Sequence, residues 1–278
     1  FIHAFTDGRD TDPKSGLGYL RNLQDHLTIR VLHASEEKDL TYDLRRVDRA
    51  IFNVLRAIAT KSGPATAFPL EGGAFIRSRP ELEAPDLQIH FFPGVPVTRG
   101  FRYPFQKPLP DTYEGYGFCA TICQLRPESR GDITLRSADP FAPPVIRANY
   151  LSTPGDRQTL REGVKITRNV LNQKAFAHMS SIEMAPGPAV TTDEGIDHFV
   201  AKNAGTVFHP VGTCRMGVDH DSVVDEELRV RGVEGLRVAD ASIMPTLTSG
   251  NTNAPCIMIG EKCAAMVLAA AGQERRAA

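Results

Sequence analysis

Ser249-Gly250-Asn251-Thr252-Asn253-Ala254-Pro255-Cys256-Ile257-Met258-Ile259-Gly260-Glu261-Lys262 opens as a polar turn and closes as a helix. Its two asparagines flank a threonine, and all three side chains can bond nearby backbone and so favour turns. Pro255 stands near the start of a helix-prone run from Ala254 to Ala271, where the missing N–H is tolerated. A turn of this kind sets side-chain amides beside the positive end of a helix. Two further segments lie upstream of it. Phe208-His209-Pro210-Val211-Gly212-Thr213-Cys214-Arg215-Met216-Gly217 carries a lone histidine before a proline. Leu236-Arg237-Val238-Ala239-Asp240-Ala241-Ser242-Ile243-Met244-Pro245 reads as a short strand ending in an acid. Taken singly, each segment has an ordinary structural reading: a satisfied histidine, a strand-end cap, a turn.

The rest of the chain bounds what these segments can belong to. It has 278 residues, 41% hydrophobic and 23% charged, which is globular and large enough to bury a core. The net charge is −1 with signs interspersed, so no basic stripe points to nucleic acid. Five cysteines, Cys119, Cys123, Cys214, Cys256 and Cys263, are too sparse for a disulfide framework and imply a reducing compartment. Cys119 and Cys123 lack a second ligand pair and read as buried small side chains, not as a zinc site. No apolar run is expected to reach membrane-spanning length; the longest is Ala264–Ala271. The chain begins at Phe1 with no signal peptide and reads as a piece of something longer.

Periodicity gives a mixed order. Ile51, Leu55 and Ile58 predict a helix over Asp48–Ala59, and Leu160, Val164, Thr167 and Leu171 another over Asp156–Leu171. Leu87, Ile89 and Phe91 alternate with polar residues as in a half-buried strand, as do Ile133 and Leu135. The stretch from Thr60 to Gly73, rich in Gly, Pro and Ala, reads as a long loop, a candidate lid. Strands and helices intermingle, so the fold class is α+β or α/β.

Together and in this order, the three C-terminal segments resemble the signature of the glucose–methanol–choline (GMC) oxidoreductases, choline dehydrogenase-like and alcohol dehydrogenase branch. Asn22-Leu23-Gln24-Asp25-His26-Leu27, Glu128-Ser129-Arg130-Gly131 and Asp139-Pro140 extend the likeness over about residues 22 to 272. The resemblance implies the C-terminal part of a two-domain flavoprotein. An antiparallel substrate-domain sheet backed by helices would occupy residues 22–203, and the returning segment of the FAD domain 204–278. It implies oxidation of an alcohol to an aldehyde by hydride transfer to FAD. His209 matches the family's base, a task suited to an imidazole near neutrality. Asn253 matches the second active-site position; its amide can donate to the substrate oxygen but cannot be the base. Asp240, Ala241, Asn251, Thr252 and Asn253 match the flavin-contacting positions.

The family's nucleotide-binding front end, a strand, a Gly-x-Gly-x-x-Gly turn and a helix, has no counterpart; Gly16-Leu17-Gly18 is a fragment of it. Flavin binding by this chain alone is therefore expected to be weak or absent. The first twenty residues instead resemble a substrate loop of cofactor-independent phosphoglycerate mutase, through Arg9 and Asp10, which suggests a fusion scrap over 1–21. The expected partners are a small alcohol and an electron acceptor, oxygen or quinone. The resemblance also implies a cytoplasmic location and admits peripheral attachment to the inner membrane face. Three alternatives stand beside this reading: a non-redox enzyme with Cys214 as nucleophile, a flavin-keeping lyase, and a folded remnant without catalysis.

Overall fold

The computed structural model describes residues 19–39, 41, 44, 46–66, 70, 72–95, 103–104, 115–179 and 181–277. Most of the mutase-like head, including Arg9 and Asp10, lies outside these residues. In chain order the strands are β1 (Tyr19–Leu23), β2 (Leu27–Ser35), β3 (Gly72–Ile76), β4 (Leu87–Phe92), β5 (Tyr116–Gln124), β6 (Gly131–Thr134), β7 (Val145–Arg147), β8 (Ser181–Ala185) and β9 (Gly205–Thr206). The helices are α1 (Val47–Thr60), α2 (Pro154–Leu171), α3 (Asp193–Asn203) and α4 (Asn253–Ala277). The pairs β1–β6, β2–β5, β2–β8, β3–β4, β4–β5 and β6–β7 are antiparallel. The mixed class and the antiparallel substrate-domain sheet are as the sequence implied. The predicted helices over 48–59, 156–171 and 254–271 all form, as do the strands at 87–91 and around Ile133.

The chain divides into two compact units, each built from separated stretches. The first to be described comprises Thr28–Gln124 and Arg157–Gly205. Its sheet runs β3-β4-β5-β2-β8, with β9 beside β2. The centre is the β2–β5 pair, in register from Thr28↔Cys123 to Ser35↔Tyr116. Apolar side chains on one face, Ile29, Val31, Leu87, Phe118 and Ile122, are almost wholly buried. The α2 stripe of Leu160, Val164 and Thr167 is buried too, as its spacing predicted. Gly163 brings this helix close, since a Cβ there would stand 2.8 Å from Ile122 Cγ2. Arg161 ties α2 to α3 through Asp197 at 2.7 and 2.5 Å and Asp193 at 3.2 Å. Arg168 forks onto Glu183 of β8 and donates to the carbonyls of Gly187 and Val190, a bidentate arrangement that fixes orientation. Cys119 and Cys123 are buried and unbridged, as expected.

The second unit comprises Phe1–Leu27, Leu125–Asp156 and Thr206–Ala278. It holds the sheet β1-β6-β7 and a core of Leu20, Val211, Val224, Leu228, Val230, Val238, Ile243, Met244 and Leu247. Ile259 and Cys263 of α4 complete that core. Asp156 binds the 128–129 turn through the amides of Glu128 and Ser129, both at 2.8 Å, and the Ser129 hydroxyl.

Two expectations are corrected. Leu236–Asp240 is not a strand: only an isolated bridge, Arg229↔Arg237, forms there. The segment lacks a ladder partner, and Asp240 turns the chain by accepting the Ser242 amide at 2.7 Å. An apolar helix of spanning length also exists, over Asn253–Gly272 of α4, because Glu261 and Lys262 interrupt the apolar run without ending the helix. Its Ile259 and Cys263 belong to the core, so the helix is part of this unit's fold.

Candidate active site

The three C-terminal segments meet on one short stretch, Asn22-Leu23-Gln24-Asp25-His26, all within the second unit. Gln24 pairs with Val211 by two backbone bonds of 3.0 and 2.8 Å. Its side-chain amide donates to Pro245 O at 3.1 Å, and its Oε1 accepts the Leu247 amide at 3.1 Å. Asn22 donates through Nδ2 to the carbonyls of Gly212 and Pro245, both at 3.1 Å. Gly212 is left-handed, φ +94°, and a Cβ there would lie 2.4 Å from Asn22 O, so only glycine permits this approach.

Asp25 and His26 then hold the site itself. The buried Asp25 carboxylate accepts the Tyr150 hydroxyl at 2.5 Å, the Thr206 hydroxyl at 2.5 Å and the His209 backbone N–H at 3.0 Å. Thr206 Oγ1 in turn accepts the Phe208 amide at 2.7 Å, closing a turn in which Phe208 has φ +63°. That backbone conformation is rare for a bulky residue and persists because its surroundings fix it. Burial and the neighbouring Asp25 carboxylate push the Tyr150 phenol well above its ordinary value.

His26, 1% exposed, packs edge to face with His209, ring centroids 5.5 Å apart. Its Nε2 lies 3.2 Å from Gly250 O. A carbonyl only accepts, so His26 Nε2 carries a proton there. His26 thus touches the ring of His209 on one side and, on the other, the loop that leads three residues later to Asn253. His209 is half-buried and Asn253 exposed at the first turn of α4. Asn251 is also exposed; Thr252 is buried, its carbonyl accepting the Cys256 amide at 3.0 Å. Asp240 and Ala241 sit on a 3-10 turn, Ala241–Ile243, that bonds the 214–216 segment through Cys214 N to Ser242 O and Met216 N to Ile243 O. The turn packs against α4.

Sequence reading quoted Asn22–Leu27 but gave Gln24, Asp25 and His26 no role, and it passed over Tyr150. The available signal was three consecutive polar residues between two leucines, a pattern that in a folded core demands partners. Cys214, by contrast, is not an activated nucleophile. It is buried, and burial raises its thiol above the ordinary value, the reverse of what nucleophilic attack requires.

A flavin ring would need donors and a positive field at its carbonyl-bearing rim, where charge gathers on reduction. The residues fit that end. The exposed amides of Asn251 and Asn253 and the N-terminus of α4 supply donors and field. Beside Gly250 there is open space, for an added Cβ would meet nothing within 4 Å. The dinucleotide phosphates are a different matter. They call for a strand–turn–helix in a parallel βαβ unit, whereas the two sheets among the described residues are built on antiparallel pairs.

Residues 127–260 match the family model for the C-terminal part of GMC oxidoreductases. The alcohol dehydrogenase (acceptor) of Pseudomonas putida is 41% identical over 249 residues, which are 89% of this chain and 44% of that protein. The oxygen-dependent choline dehydrogenase of Brucella canis is 40% identical over 258 residues, 92% of this chain and 45% of that protein. A variant formate oxidase of Aspergillus oryzae RIB40, from work on FAD modification, superposes with a TM-score of 0.76 at 27% identity, over 90% of this chain and 47% of that one. The chain therefore spans less than half the length of these relatives. The mutase-like reading of the head gains no support from these matches. With three motifs gathered on one buried polar stretch and relatives of one kind, the chain carries the C-terminal domain of a GMC oxidoreductase.

Proposed function

We infer that this chain supplies the catalytic side of an FAD-dependent alcohol oxidation, CH–OH to aldehyde. The observation that carries the reading is the placement of His26 between the His209 ring and the Gly250 carbonyl, which ties the 209 turn to the loop ahead of Asn253. When bound, FAD supplies the hydride acceptor. His209 takes the hydroxyl proton, and the Asn253 amide donates to the oxygen that is losing it. Asp25 fixes where the His209 backbone stands, and His26 limits how its ring can turn. The N-terminus of α4 contributes a positive field beside Asn253. The substrate is a small alcohol, and oxygen or a quinone takes the electrons onward.

Because the phosphate cradle is not among the described residues, flavin is expected to bind weakly to the chain by itself. The test is co-expression with the nucleotide-binding half of the Pseudomonas putida relative. The reading expects flavin absorbance to co-purify with the pair and dye reduction by primary alcohols or choline. A pair that binds flavin yet turns over no alcohol would sink it. A pair in which His209→Ala keeps full turnover would sink the base assignment alone.

A further inference from the structure

Asp25 is 7% exposed, and its partners require it to be charged. The His209 backbone N–H can only donate. The Thr206 hydroxyl already accepts the Phe208 amide and turns its own proton to Asp25. The Tyr150 phenol, kept protonated by burial and then by Asp25, donates too. A proton on the carboxyl would face only donors, so the group is a carboxylate. These three are its partners among the described residues, and none is a cation. The hydrogen bonds satisfy its oxygens but leave a buried negative charge uncompensated, and such a charge is costly unless paired.

The frame around this charge is strained. Asn149 and Leu151, on either side of Tyr150, have φ +55° and +58°, and Phe208, beside His209, has φ +63°. Left-handed backbone is rare for leucine and phenylalanine, and strain of this kind gathers at functional sites. The Tyr150 turn is pinned by Asn149 Nδ2 to Arg130 O at 2.8 Å and by Ser152 N to Ser129 Oγ at 2.9 Å. Both strained turns aim a donor at the same carboxylate. The candidate base hangs from one of them. With its backbone N 3.0 Å from Asp25, the His209 ring begins within about 7 Å of that charge in any rotamer. The other titratable or charged groups on the elements around the 209 turn are few. They are His26, Tyr150, Asp240 at the 3-10 turn, and Arg126, which donates to Ser249 Oγ at 3.0 Å. Helix α4 carries its first charges, Glu261 and Lys262, two turns beyond Asn253.

We propose that Asp25 is the standing counter-charge for the proton that His209 receives. Its catalytic meaning rests on the alcohol-oxidation reading, to which it adds an electrostatic task for a positioning residue. When the hydroxyl proton passes to His209, the ring becomes a cation, while the hydride leaves with its electron pair for the flavin acceptor. Before that step the buried carboxylate is unmatched; after it, the two charges compensate each other. An anion fixed in advance costs no reorganisation when the cation appears.

Histidine titration by nuclear magnetic resonance tests this in the full chain, with His209→Gln to assign the signal. In the parent, His209 should titrate above the ordinary histidine value of about 6.5. Asp25→Asn removes the charge and keeps the size, and should lower the His209 value by about one unit or more. Tyr150→Phe breaks the same cluster but keeps the charge, so His209 should titrate at or above its parental value. A cluster that only holds shape would give the two variants the same effect. If Asp25→Asn does not fold, the parent and Tyr150→Phe still decide the matter. In the complemented enzyme, Asp25→Asn should move the acid limb of kcat/KM to lower pH by a similar amount and lower the plateau several-fold. The proposal is overturned if His209 titrates below about 6.5 in the parent, if Tyr150→Phe lowers it as Asp25→Asn does, or if the Asp25→Asn shift falls on His26 instead. The titration needs neither flavin nor turnover, so its failure is told apart from a failure of the alcohol-oxidation reading.

Discussion

The carboxylate of Asp25 accepts the backbone N–H of His209 at 3.0 Å, across 184 positions of chain. The same carboxylate takes the hydroxyls of Tyr150 and Thr206, so a single buried acid gathers three strands of connection beneath the candidate base. Asp25→Asn keeps the shape but replaces one acceptor oxygen by a donor facing a hydroxyl or amide. We expect it to lower stability by roughly 1–3 kcal/mol, the range for an unsatisfied buried polar group. In the complemented enzyme the proposed roles expect it to lower kcat more than it changes KM, because Asp25 bonds the His209 backbone and has no bond to the Asn253 loop. A variant with parental melting and kcat would remove Asp25 from this role.

His209→Ala and Asn253→Ala should differ in size. In the proposed roles, loss of the base costs about 10²–10⁴ in turnover, and loss of a donor to the oxygen should cost less. Steady-state rates of the two variants in the complemented enzyme decide this, and an Asn253 variant at full rate would take that residue out of the site.

His33 gives the first unit a pH dependence. Its ring stacks on Phe118 at 5.0 Å, and Nδ1 lies 3.0 Å from Ser181 Oγ. Burial pulls its pKa below the ordinary histidine value; Glu183 pushes up against that and Arg168 pulls further down. Burial lowers His90 as well. With folded pKa values depressed, the unfolded chain takes up protons that the native one refuses. The stability they contribute is present above about pH 6.5 and is lost as pH falls through the folded values. Thermal melts should therefore fall on acidification below that point, and His33→Phe should flatten the slope. An unchanged slope would place the effect elsewhere.

Gly163 sits where α2 crosses Ile122 and Leu87, both wholly buried. A Cβ would meet Ile122 Cγ2 at 2.8 Å and Leu87 Cδ1 at 3.1 Å. Gly163→Ala would gain up to about 1 kcal/mol of helix propensity, but overpacking costs typically 1–3 kcal/mol. We expect net destabilisation in denaturant titration; a stabilised variant would mean that the two side chains yield.

Thiol labelling separates the cysteines. Burial raises both Cys119 and Cys214 above the ordinary thiol value, so neither should react in the native state at neutral pH. Both should label on unfolding. Rapid native alkylation of Cys214 with loss of turnover would revive a nucleophilic role for it.

What could be read from sequence follows from the range over which each signal acts. Period-3.6 stripes marked α1 and α2, a helix-prone run with Pro255 near its start marked α4, and alternation marked β4 and the strand at Ile133. Tyr116–Gln124 escaped notice because β5 is buried on nearly every residue and so shows no alternation to detect. Leu236–Asp240 looked like a strand because its composition is strand-like, but a strand also needs a neighbour, and none pairs with it beyond one bridge. The helical spacing of α1 was legible, yet spacing does not say which way a stripe will face. Of the candidate site residues, His209 and Asn253 are marked in sequence by their motifs. The stretch Gln24-Asp25-His26 is visible only as letters, since its partners lie about 125 to 225 positions away.

The unit that carries His209 is assembled from Phe1–Leu27, Leu125–Asp156 and Thr206–Ala278. During synthesis its first piece must wait for its last. At roughly 5–20 residues per second, the 184 positions between Asp25 and His209 take about 10 to 40 s to emerge. Throughout that interval Gln24 and His26 lack their partners at Val211, Pro245, Leu247 and Gly250, and of the three donors to Asp25 only Tyr150 emerges early. The long-range ties that give the finished site its rigidity thus leave the nascent chain with an adhesive segment that waits for its partners. Such a protein should depend on chaperones at the ribosome.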